Sequence, residues 1–270
     1  MKKTLKIVVL AKQVPDTRNV GKDAMKEDGT VNRAALPAIF NPEDLNALEQ
    51  ALVLKDMFPG STVEILTMGP GRAAEIIREG MYRGADGGVL LSDRKFAGSD
   101  TLATSYALSR AAINMKPDII VAGRQAIDGD TAQVGPQISE HLGLPVISYA
   151  QKIREVNEAE KYIVVERQYD DRYHVVKAQL PCLLTALAEL NEPRYMTPGG
   201  IFDAYAKEIT VWGRKDLKDV EDSNLGLKGS PTQIAKASDK VRKGAGEKVE
   251  LDPAASADYI VGKLAEKHII

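Results

Sequence analysis

Leu5–Ala11 reads LKIVVLA, an apolar run interrupted by one lysine. It lacks the in-and-out alternation expected of a strand that has one face in water. Strands buried on both faces are typical of parallel sheets that are covered by helices on each side. The run therefore predicts a central strand, and the residues after it should alternate between helices and further strands.

The chain alternates in this way up to about residue 150. Apolar residues at the helical period predict helices, and short apolar runs predict strands. This order predicts an α/β, Rossmann-like fold with a mostly parallel sheet and helices on both faces. The predicted helices cover Asn41–Met57, Arg72–Arg83, Asp100–Met115 and a segment ending near Leu142, and the predicted strands cover Thr62–Met68, Gly88–Leu91, Asp118–Ala122 and Val146–Tyr149.

The pattern changes after residue 150. Tyr162–Gln168 and Tyr173–Leu180 flank the turn-forming residues Tyr169–Arg172, which predicts an antiparallel hairpin. Cys182–Leu187 is a further apolar run. All three apolar segments are interpreted as antiparallel strands that extend the edge of the same sheet.

From Asn191 onward glycine, proline and charged residues dominate, and a last helix is predicted over Ala255–Glu266. The polar stretch Asp216–Glu250 cannot bury much apolar surface by itself, so it predicts an extended arm that lies on another subunit. The predicted division is a nucleotide-binding α/β domain over residues 1–205, followed by a C-terminal arm and helix over residues 206–270 that contact a partner subunit.

The composition excludes several classes of function. A net charge of −2 gives no electrostatic reason to expect nucleic acid or an anionic membrane as a partner. The single cysteine, Cys182, rules out an internal disulfide and an iron–sulfur cluster held by this chain alone, and it is expected to be buried and inert. The three histidines, His141, His174 and His268, have no metal-ligand spacing.

The amino terminus, Met1–Val14, combines lysines with an apolar run, as a signal peptide would. Ile7–Ala11 is too short for the apolar region of such a peptide, Lys12 interrupts it, and no small-residue cleavage site follows. No window approaches the roughly 18 to 20 apolar residues that span a bilayer. A cytoplasmic protein without membrane insertion is therefore expected.

Gly123–Pro136, with the sequence GRQAIDGDTAQVGP, is the most informative segment for function. It leaves the carboxyl end of a predicted strand, where open α/β sheets bind ligands, and its glycines allow tight turns and close approach to a ligand. Pro136 suits the first position of the next helix, whose free amides would face an anion. Arg124 and Thr131 add a positive charge and a hydroxyl donor.

The role of this loop stays open on local evidence. Asp128 and Asp130 would repel a phosphate if they pointed inward, so an acidic surface loop closed by a helix cap fits equally well. Neither the G-x-G-x-x-G of a Rossmann dinucleotide site nor the G-x-x-x-x-G-K-[ST] of a P-loop occurs in the sequence. Any nucleotide bound here is held by a different loop.

The start of the helix at Asn41 is a weaker candidate. Asn41 can cap the helix, Pro42 suits its first position and Asp44 falls in its first turn, which explains these residues structurally. The carboxylates of Glu43 and Asp44 make a poor phosphate site but are plausible acceptors for a ribose or an adenine. Local evidence favours the structural explanation.

A third candidate is the segment Gly98–Ser105. Asp100 is predicted to be the N-cap of a helix, and Thr101 and Thr104 lie one turn apart on one face. Their hydroxyls suit an anion or a flavin carbonyl, but local evidence again favours a plain capped helix.

Several blocks of this sequence together resemble the beta subunit of electron transfer flavoproteins. They occur in family order up to about residue 200, and GRQAIDGDTAQVGP is the most specific of them. The matching blocks are VVLAKQVPDT (Val8–Thr17), NPEDLNALEQALVLKD (Asn41–Asp56), ILTMGPG (Ile65–Gly71), GRQAIDGDTAQVGP (Gly123–Pro136) and LNEPRY (Leu190–Tyr195).

The resemblance implies a heterodimer with a larger alpha subunit, in which this chain holds an adenine nucleotide against its partner. In many family members that nucleotide is a structural AMP, whereas in electron-bifurcating members it is a second FAD that exchanges hydride with NAD(H). Carried over by position, the cofactor site comprises Leu10, Ala11, Lys12, Asn41, Pro42, Glu43, Asp44, Met68, Gly69, Asp100, Thr101, Thr104, Gly123, Arg124, Gln125, Ala126, Ile127, Asp128, Gly129, Asp130, Thr131, Ala132, Gln133 and Val134.

The bifurcating type is the closer resemblance. SDRKFAGSDTLATS (Ser92–Ser105) and GSPTQIAK (Gly229–Lys236) are similar to segments of those members. This type implies that one electron passes to the large-subunit flavin and a flavin dehydrogenase, and the other to a low-potential acceptor such as ferredoxin or flavodoxin. The alternative is a non-bifurcating subunit that binds AMP.

Under the bifurcating resemblance Asp100, Thr101 and Thr104 would lie by the riboflavin part of the FAD, and Arg124 near its ring or phosphates. One departure concerns docking: Pro198–Gly200 replaces a leucine anchor found in many dehydrogenase-docking members, and the following Ile201 and Phe202 are the nearest apolar substitutes. An ATP-dependent ligase on a related fold is a further alternative, but the triphosphate loop and metal-binding carboxylate pair that it needs are not found.

Overall fold

The computed structural model describes residues 4–16, 37–232, 246 and 248–270. The strands are β1 (Lys6–Leu10), β2 (Gln13–Pro15), β3 (Ala38–Phe40), β4 (Thr62–Met68), β5 (Gly87–Leu91), β6 (Ile119–Gly123), β7 (Val146–Asn157), β8 (Tyr162–Gln168), β9 (Tyr173–Gln179), β10 (Cys182–Ala186) and β11 (Thr210–Trp212). The helices are α1 (Pro42–Met57), α2 (Ala74–Arg83), α3 (Thr101–Met115), α4 (Val134–Leu142), α5 (Pro198–Tyr205) and α6 (Pro253–Glu266).

A nine-stranded sheet forms the centre of the molecule, in the order β11-β5-β4-β1-β6-β10-β7-β8-β9. Every pair from β11 to β7 is parallel, and the last two pairs are antiparallel. β2 and β3 form a separate antiparallel ribbon. The predicted α/β fold, with a mostly parallel sheet and an antiparallel extension, is confirmed.

Burial on both faces explains the unbroken apolar run in β1. Ile7 and Val9 pack in a core with α1 and α2, and Val8 and Leu10 pack in a second core with α3 and α4. Burying a side chain of this size contributes about 1.5–3 kcal/mol. β1 is therefore anchored from both sides, and its carboxyl end is a fixed support for the residues that follow it.

The hairpin is confirmed, with Tyr162 opposite Gln179 across β8 and β9. The prediction that Cys182–Leu187 is another antiparallel edge strand is wrong, because β10 lies inside the sheet, parallel to both β6 and β7. An apolar run without alternation is what such an interior position requires. β7 also continues to Asn157, past the predicted end at Tyr149, because its second half pairs with the hairpin.

Two elements after Asn191 were not predicted. α5 is a short helix whose start is capped by the Thr197 hydroxyl, which accepts a hydrogen bond from the Gly200 amide at 3.0 Å. β11 pairs with β5 and extends the opposite edge of the sheet. α6 covers the predicted helix Ala255–Glu266.

Residues 213–232 pack along α3 of their own chain. Leu217 and Leu225 are buried in the core that contains α3. The Asn114 side chain donates a hydrogen bond to the Asp216 carbonyl at 3.0 Å, and the Glu221 amide donates to the Tyr106 hydroxyl at 2.9 Å. The first part of the predicted arm therefore lies on this chain.

The contact of the rest of the arm and of α6 with a partner subunit stays a prediction, as does the domain boundary at residue 205. Thr17 and residues 233–236 of the GSPTQIAK block lie outside the described residues. No helix in the described part of the chain is both long and apolar enough to cross a membrane.

Candidate functional site

The candidate site lies at the carboxyl edge of the sheet, where β1, β4 and β6 meet the start of α1. A cleft of about 230 Å³ opens there beside the β2–β3 ribbon. Four of its lining residues were predicted, namely Lys12, Met68, Gly69 and Asp128. The residues that the sequence did not identify are Gln13, Val14, Pro15, Ala38, Pro70, Arg72 and Ala73.

Asp44, in the first turn of α1, joins the ends of two strands. Its Oδ2 accepts a hydrogen bond from the Lys12 amide at 2.8 Å, and its Oδ1 accepts one from the Gly123 amide at 3.0 Å. Burial raises the pKa of Asp44 to about 7, although these amides and the Asn41 side chain favour the charged form. The Asp44 carboxyl group therefore joins the ends of β1 and β6, and its pKa is close to neutral pH.

Glu43 holds the residues that leave β6. Its Oε1 accepts a hydrogen bond from the Arg124 guanidinium at 2.7 Å, and its Oε2 accepts one from the Gln125 amide at 2.9 Å. Within the described residues the buried Nε of Arg124 has no hydrogen-bond partner. The guanidinium is thus oriented by Glu43 while one of its donors stays unpaired.

The Asn41 side chain does not cap α1, so that prediction is wrong. Its Nδ2 donates to the Gln125 carbonyl at 2.9 Å, and its Oδ1 accepts from the Ile127 amide at 3.1 Å. Pro42 does occupy the first position of the helix, as predicted. The side chains of Asn41 and Glu43 therefore point away from their own helix and bind the loop that follows β6.

An ion pair reduces the negative charge that argued against a phosphate in this loop. The Lys12 ammonium lies 2.6 Å from the Asp128 carboxylate. Asp130 accepts a hydrogen bond from the Gln125 side chain at 3.0 Å and is itself exposed. Neither carboxylate is an isolated buried charge, so the loop remains compatible with an anionic ligand.

Gly123 is required by the space between β6 and α1. A Cβ atom at this position would lie 2.4 Å from Asp44 Oδ1 and 2.8 Å from the Asp44 amide nitrogen. Both distances are shorter than real Cβ contacts, and one of the atoms belongs to the backbone. The glycine lets the helix start close onto the strand end.

The loop ends at α4, which begins at Val134, so Pro136 is its third residue and not its first as predicted. Asp130 and Ala132 have φ angles of 50° and 53° and turn the chain into the helix. Among the described residues nothing accepts a hydrogen bond from the amides of 131–134. A helix start with unpaired amides favours an anion electrostatically.

Asp100 caps α3, as predicted, and also binds a distant segment. Its Oδ1 accepts hydrogen bonds from the Leu102 and Ala103 amides at 3.0 and 3.1 Å. Its Oδ2 accepts from the amide and hydroxyl of Thr232 at 3.1 and 2.7 Å. Burial would raise the pKa of Asp100, but these hydrogen bonds outweigh it and hold the pKa below its usual value.

Thr101 connects the start of α3 with the loop. Its hydroxyl donates a hydrogen bond to the Gln133 side-chain oxygen at 2.9 Å, and Gln133 directly precedes α4. Thr104, one turn further along α3, is half-buried. The structure thus brings the loop and both helix starts into one connected arrangement.

Other predicted site residues have smaller roles in this arrangement. Leu10 and Ala11 are buried, so their side chains face the core, and the Ala11 amide donates to the Leu66 carbonyl at 3.1 Å. The Ala126 carbonyl accepts from the Gly129 amide at 3.3 Å, which closes a turn inside the loop. Direct ligand contact by each of the predicted site residues stays a prediction.

Sequence reasoning missed the β2–β3 ribbon and the residues around Thr232 as parts of this region. Gln13 and Pro15 line the cleft and belong to the VVLAKQVPDT block, so that block could have indicated them. The GSPTQIAK block contains Thr232, but the sequence alone did not connect it with Asp100.

The described residues contain no group of histidine, cysteine, aspartate or glutamate side chains suited to a metal ion. Cys182 is buried in β10, as predicted, and burial raises the pKa of its thiol to about 12. A thiol in this state is a weak nucleophile at neutral pH.

Comparison with known proteins gives consistent matches over nearly the whole chain. The profile of the electron transfer flavoprotein domain matches residues 28–217. The electron transfer flavoprotein subunit beta of Clostridium acetobutylicum is 48% identical over 266 residues, which cover 98% of this chain and 100% of that protein.

Two further relatives belong to named reductase systems. The caffeyl-CoA reductase-Etf complex subunit CarD of Acetobacterium woodii is 48% identical over 268 residues, covering 98% of this chain and 100% of that protein. The acryloyl-CoA reductase electron transfer subunit gamma of Anaerotignum propionicum is 44% identical over 273 residues, with the same coverage of both chains.

Proposed function

The chain belongs to the electron transfer flavoprotein family as a beta subunit, and we propose that it binds an FAD that exchanges hydride with NAD(H) and splits the electrons. One electron goes to the flavin of the alpha subunit and on to a flavin dehydrogenase, and the other goes to ferredoxin or flavodoxin. Relatives named as subunits of caffeyl-CoA and acryloyl-CoA reductase systems support a role beside a dehydrogenase.

The observation that carries the proposal is the prefolded loop 123–134. Side chains of Asn41, Glu43 and Asp44 hold its first part, residues 123–127, through hydrogen bonds of 2.7–3.1 Å. Its last amides precede α4 and are unpaired within the described residues. Free amide donors at a helix start, at the carboxyl edge of a parallel sheet, suit the phosphates of an adenine nucleotide.

The charges around the loop fit a phosphate group. Lys12 neutralises Asp128, and Arg124 is oriented by Glu43 with an unpaired buried Nε. Asp44 carries a pKa of about 7, so a neighbouring phosphate would favour its protonated form and bind with proton uptake. We assign Arg124 and the amides of 131–134 to the phosphates, and Glu43 and Asp44 to positioning these donors.

When bound at this site, a flavin supplies two-electron exchange with NAD(H) and one-electron transfer to further carriers. The contribution of the chain is to hold the nucleotide part and orient the ring. Thr101 and Thr104, at the start of α3, are the side chains proposed to lie by the riboflavin part. Asp100 is not assigned a direct contact, because both of its carboxylate oxygens already accept hydrogen bonds from this chain.

One observation favours the alternative of a structural AMP. The cleft beside β2 and β3 has a volume of about 230 Å³, below the roughly 300–1,000 Å³ typical of sites for larger ligands. A cleft of this size holds the smaller nucleotide, AMP, more readily than a whole FAD, whose remaining part the alpha subunit would have to cover. The two cases differ in what the purified heterodimer contains.

A surface at α5 is proposed to contact the flavin dehydrogenase. Tyr195, Phe202 and Tyr205 are largely exposed and adjoin α2, where Tyr205 stacks on Tyr82 at a centroid distance of 6.2 Å. Exposed aromatic groups of this kind are typical of protein interaction sites. Ile201 is half-buried, so Phe202 is the stronger candidate for the apolar contact that replaces the leucine anchor.

The test is the nucleotide content of the heterodimer purified after co-expression with its alpha subunit. Acid release and chromatography should give about two FAD and no AMP per heterodimer if the proposal holds. One FAD and one AMP would contradict it, and this chain would then hold a structural nucleotide in a single-flavin carrier. A matched preparation with Gly87→Ala, at a glycine of β5 outside the loop whose added Cβ would also meet open space, should keep the wild-type content.

A further inference from the structure

Ser230 and Thr232 contact the start of α3, far from them in sequence. We propose that they are positioning residues of the cofactor site, which hold the start of α3, and through it the loop 123–134, in the geometry that retains the nucleotide. This inference rests on the proposed function for its cofactor, but the contacts that carry it lie entirely within this chain. Ser230 and Thr232 together with Asp100 are called the latch below.

The latch is built from hydrogen bonds on both sides of Asp100. The Asp100 amide donates to the Ser230 hydroxyl at 2.8 Å, and that hydroxyl donates to the Gly226 carbonyl at 2.8 Å. The Asp100 Oδ2 accepts from the amide and hydroxyl of Thr232 at 3.1 and 2.7 Å. The helix cap and the distant segment therefore share one carboxylate, and movement of either changes the geometry of the other.

The segment that carries Ser230 packs closely against residues 95–97. Gly226 has a φ of 58°, and a Cβ atom there would lie 2.3 Å from the Lys95 carbonyl oxygen. The Leu227 amide donates to the Ala97 carbonyl at 3.0 Å, and Ser230 is only 6% exposed. The close packing of Gly226 and Leu227 against residues 95–97 therefore fixes the position of Ser230.

The latch reaches the nucleotide loop through Thr101. Thr101 follows Asp100 directly and donates its hydroxyl hydrogen to Gln133 at 2.9 Å. Gln133 precedes α4 and belongs to the row of unpaired amides assigned to the phosphates. A chain of contacts thus runs from Thr232 through Asp100 and Thr101 to the loop.

This arrangement assigns Asp100 a different role from direct contact with the flavin. Each of its carboxylate oxygens already accepts hydrogen bonds from this chain, two at Oδ1 and two at Oδ2. Its effect on the cofactor would therefore be indirect, through the position of α3 and of Thr101. The same holds for Ser230, whose hydroxyl is used by Asp100 and Gly226.

The experiment compares heterodimers that carry Ser230→Ala, Thr232→Val or Thr101→Val with wild type. Hydrogen exchange is measured over residues 100–103 and 131–134, together with the rate at which the bound nucleotide dissociates. The matched controls are Ser109→Ala, a buried serine of α3 that donates within its own helix, and Thr62→Val, an exposed threonine near the amino end of β4. Thr232→Ser, which keeps the hydroxyl, should behave as wild type.

We expect Ser230→Ala and Thr232→Val to speed exchange at both segments and to release the nucleotide about fivefold faster, as the loss of one hydrogen bond implies. Thr101→Val should speed exchange at 131–134 alone. The proposal is overturned if the latch variants change exchange only at 100–103 and the nucleotide dissociates as in the controls.

Failure of the latch and failure of the proposed function are distinguishable. If wild type contains AMP in place of the second FAD, the proposed function fails, but the same exchange and dissociation measurements still decide the latch with AMP as the nucleotide. If wild type contains two FAD and the latch variants match the controls, the function stands and the latch is wrong.

Discussion

The starts of α1 and α3 look alike in sequence, but their polar side chains bind different partners in the structure. Each has a polar residue at the cap position, and an acid at or near it. At α1 the side chains leave their own helix and bind the loop 123–127, whereas at α3 the acid caps its own helix and is held by Thr232. A capping pattern therefore identifies where a helix begins, but not what its polar side chains bind.

The two helix starts also differ in what they depend on. The start of α1 is buried and contacts neighbouring strand ends of the main sheet, so it should form together with the core. The start of α3 depends on Ser230 and Thr232, which belong to a separate segment lying along the helix. Changes at α1 should therefore affect the stability of the whole domain, and changes at α3 mainly its local geometry.

Gly123→Ala should have the largest effect and should act mainly on the α1 side. The added Cβ would meet Asp44 Oδ1 at 2.4 Å and backbone at 2.8 Å, so the helix start must move away from the strand. We expect a loss of about 3 kcal/mol in the free energy of unfolding, measured by urea denaturation. Hydrogen exchange at 100–103 should stay as in wild type, and Gly129→Ala should have little effect. An equal loss of protection at both helix starts would remove the distinction between them.

Asp44→Asn should have the next largest effect. Asparagine keeps one acceptor but turns NH₂ hydrogens towards the second amide, so either Lys12 or Gly123 loses its partner. A buried amide without a partner costs about 1–3 kcal/mol. The urea midpoint of the variant should fall, while Asp203→Asn, an exposed aspartate, should leave it unchanged. Matching midpoints for the two variants would show that the hydrogen bonds of Asp44 with the Lys12 and Gly123 amides do not stabilise the fold.

The stability difference between wild type and Asp44→Asn should depend on pH. The pKa of Asp44 is raised from 3.8 to about 7 in the folded chain, so between these values the folded state binds more protons than the unfolded state. The contribution of Asp44 to stability therefore decreases as pH rises through this window, by at most about 1.4 kcal/mol per unit. Urea denaturation at pH 5 and pH 8 should show a smaller deficit of the variant at pH 8. If the stability deficit of Asp44→Asn grew with pH instead, the pKa of Asp44 in the folded chain would be lowered and not raised.

Lys12→Gln should have the smallest effect on stability. The Lys12 side chain is 49% exposed, and pairs of this kind contribute about 0–1 kcal/mol. The urea midpoint should hardly change, but Asp128 would keep its charge unpaired beside the loop and nucleotide dissociation should become faster. A large loss of stability together with unchanged dissociation would show that the pair supports the fold and not the site.

The general fold was predictable because most strands of the main sheet have a characteristic apolar run. Thr62–Met68 and Tyr162–Gln168 were predicted with their observed bounds, and the hairpin followed from its turn residues. The interior, parallel position of β10 was not predictable, because Cys182–Leu187 carries no signal for which neighbour it pairs with. β11 and α5 were missed because a three-residue strand and a helix that begins Pro-Gly-Gly leave no periodic pattern.

The candidate site was predictable in its loop but not in its contacts. The place of GRQAIDGDTAQVGP after a buried strand and its glycines made it a candidate, but local evidence left its role open and only the family resemblance favoured a site. The role of Asn41 was taken for a cap. The bond between Asp100 and Thr232 joins residues 132 positions apart, which no local pattern can indicate. Side-chain contacts between distant segments are decided by tertiary packing.

The most direct test of the central claim is native mass spectrometry of the intact heterodimer, followed by release of this chain in the gas phase. The account predicts that this chain leaves the complex with FAD bound and that Gly123→Ala greatly reduces this species. If the chain leaves with AMP, or if all flavin stays on the alpha subunit, the claim that the loop 123–134 holds a second FAD is contradicted.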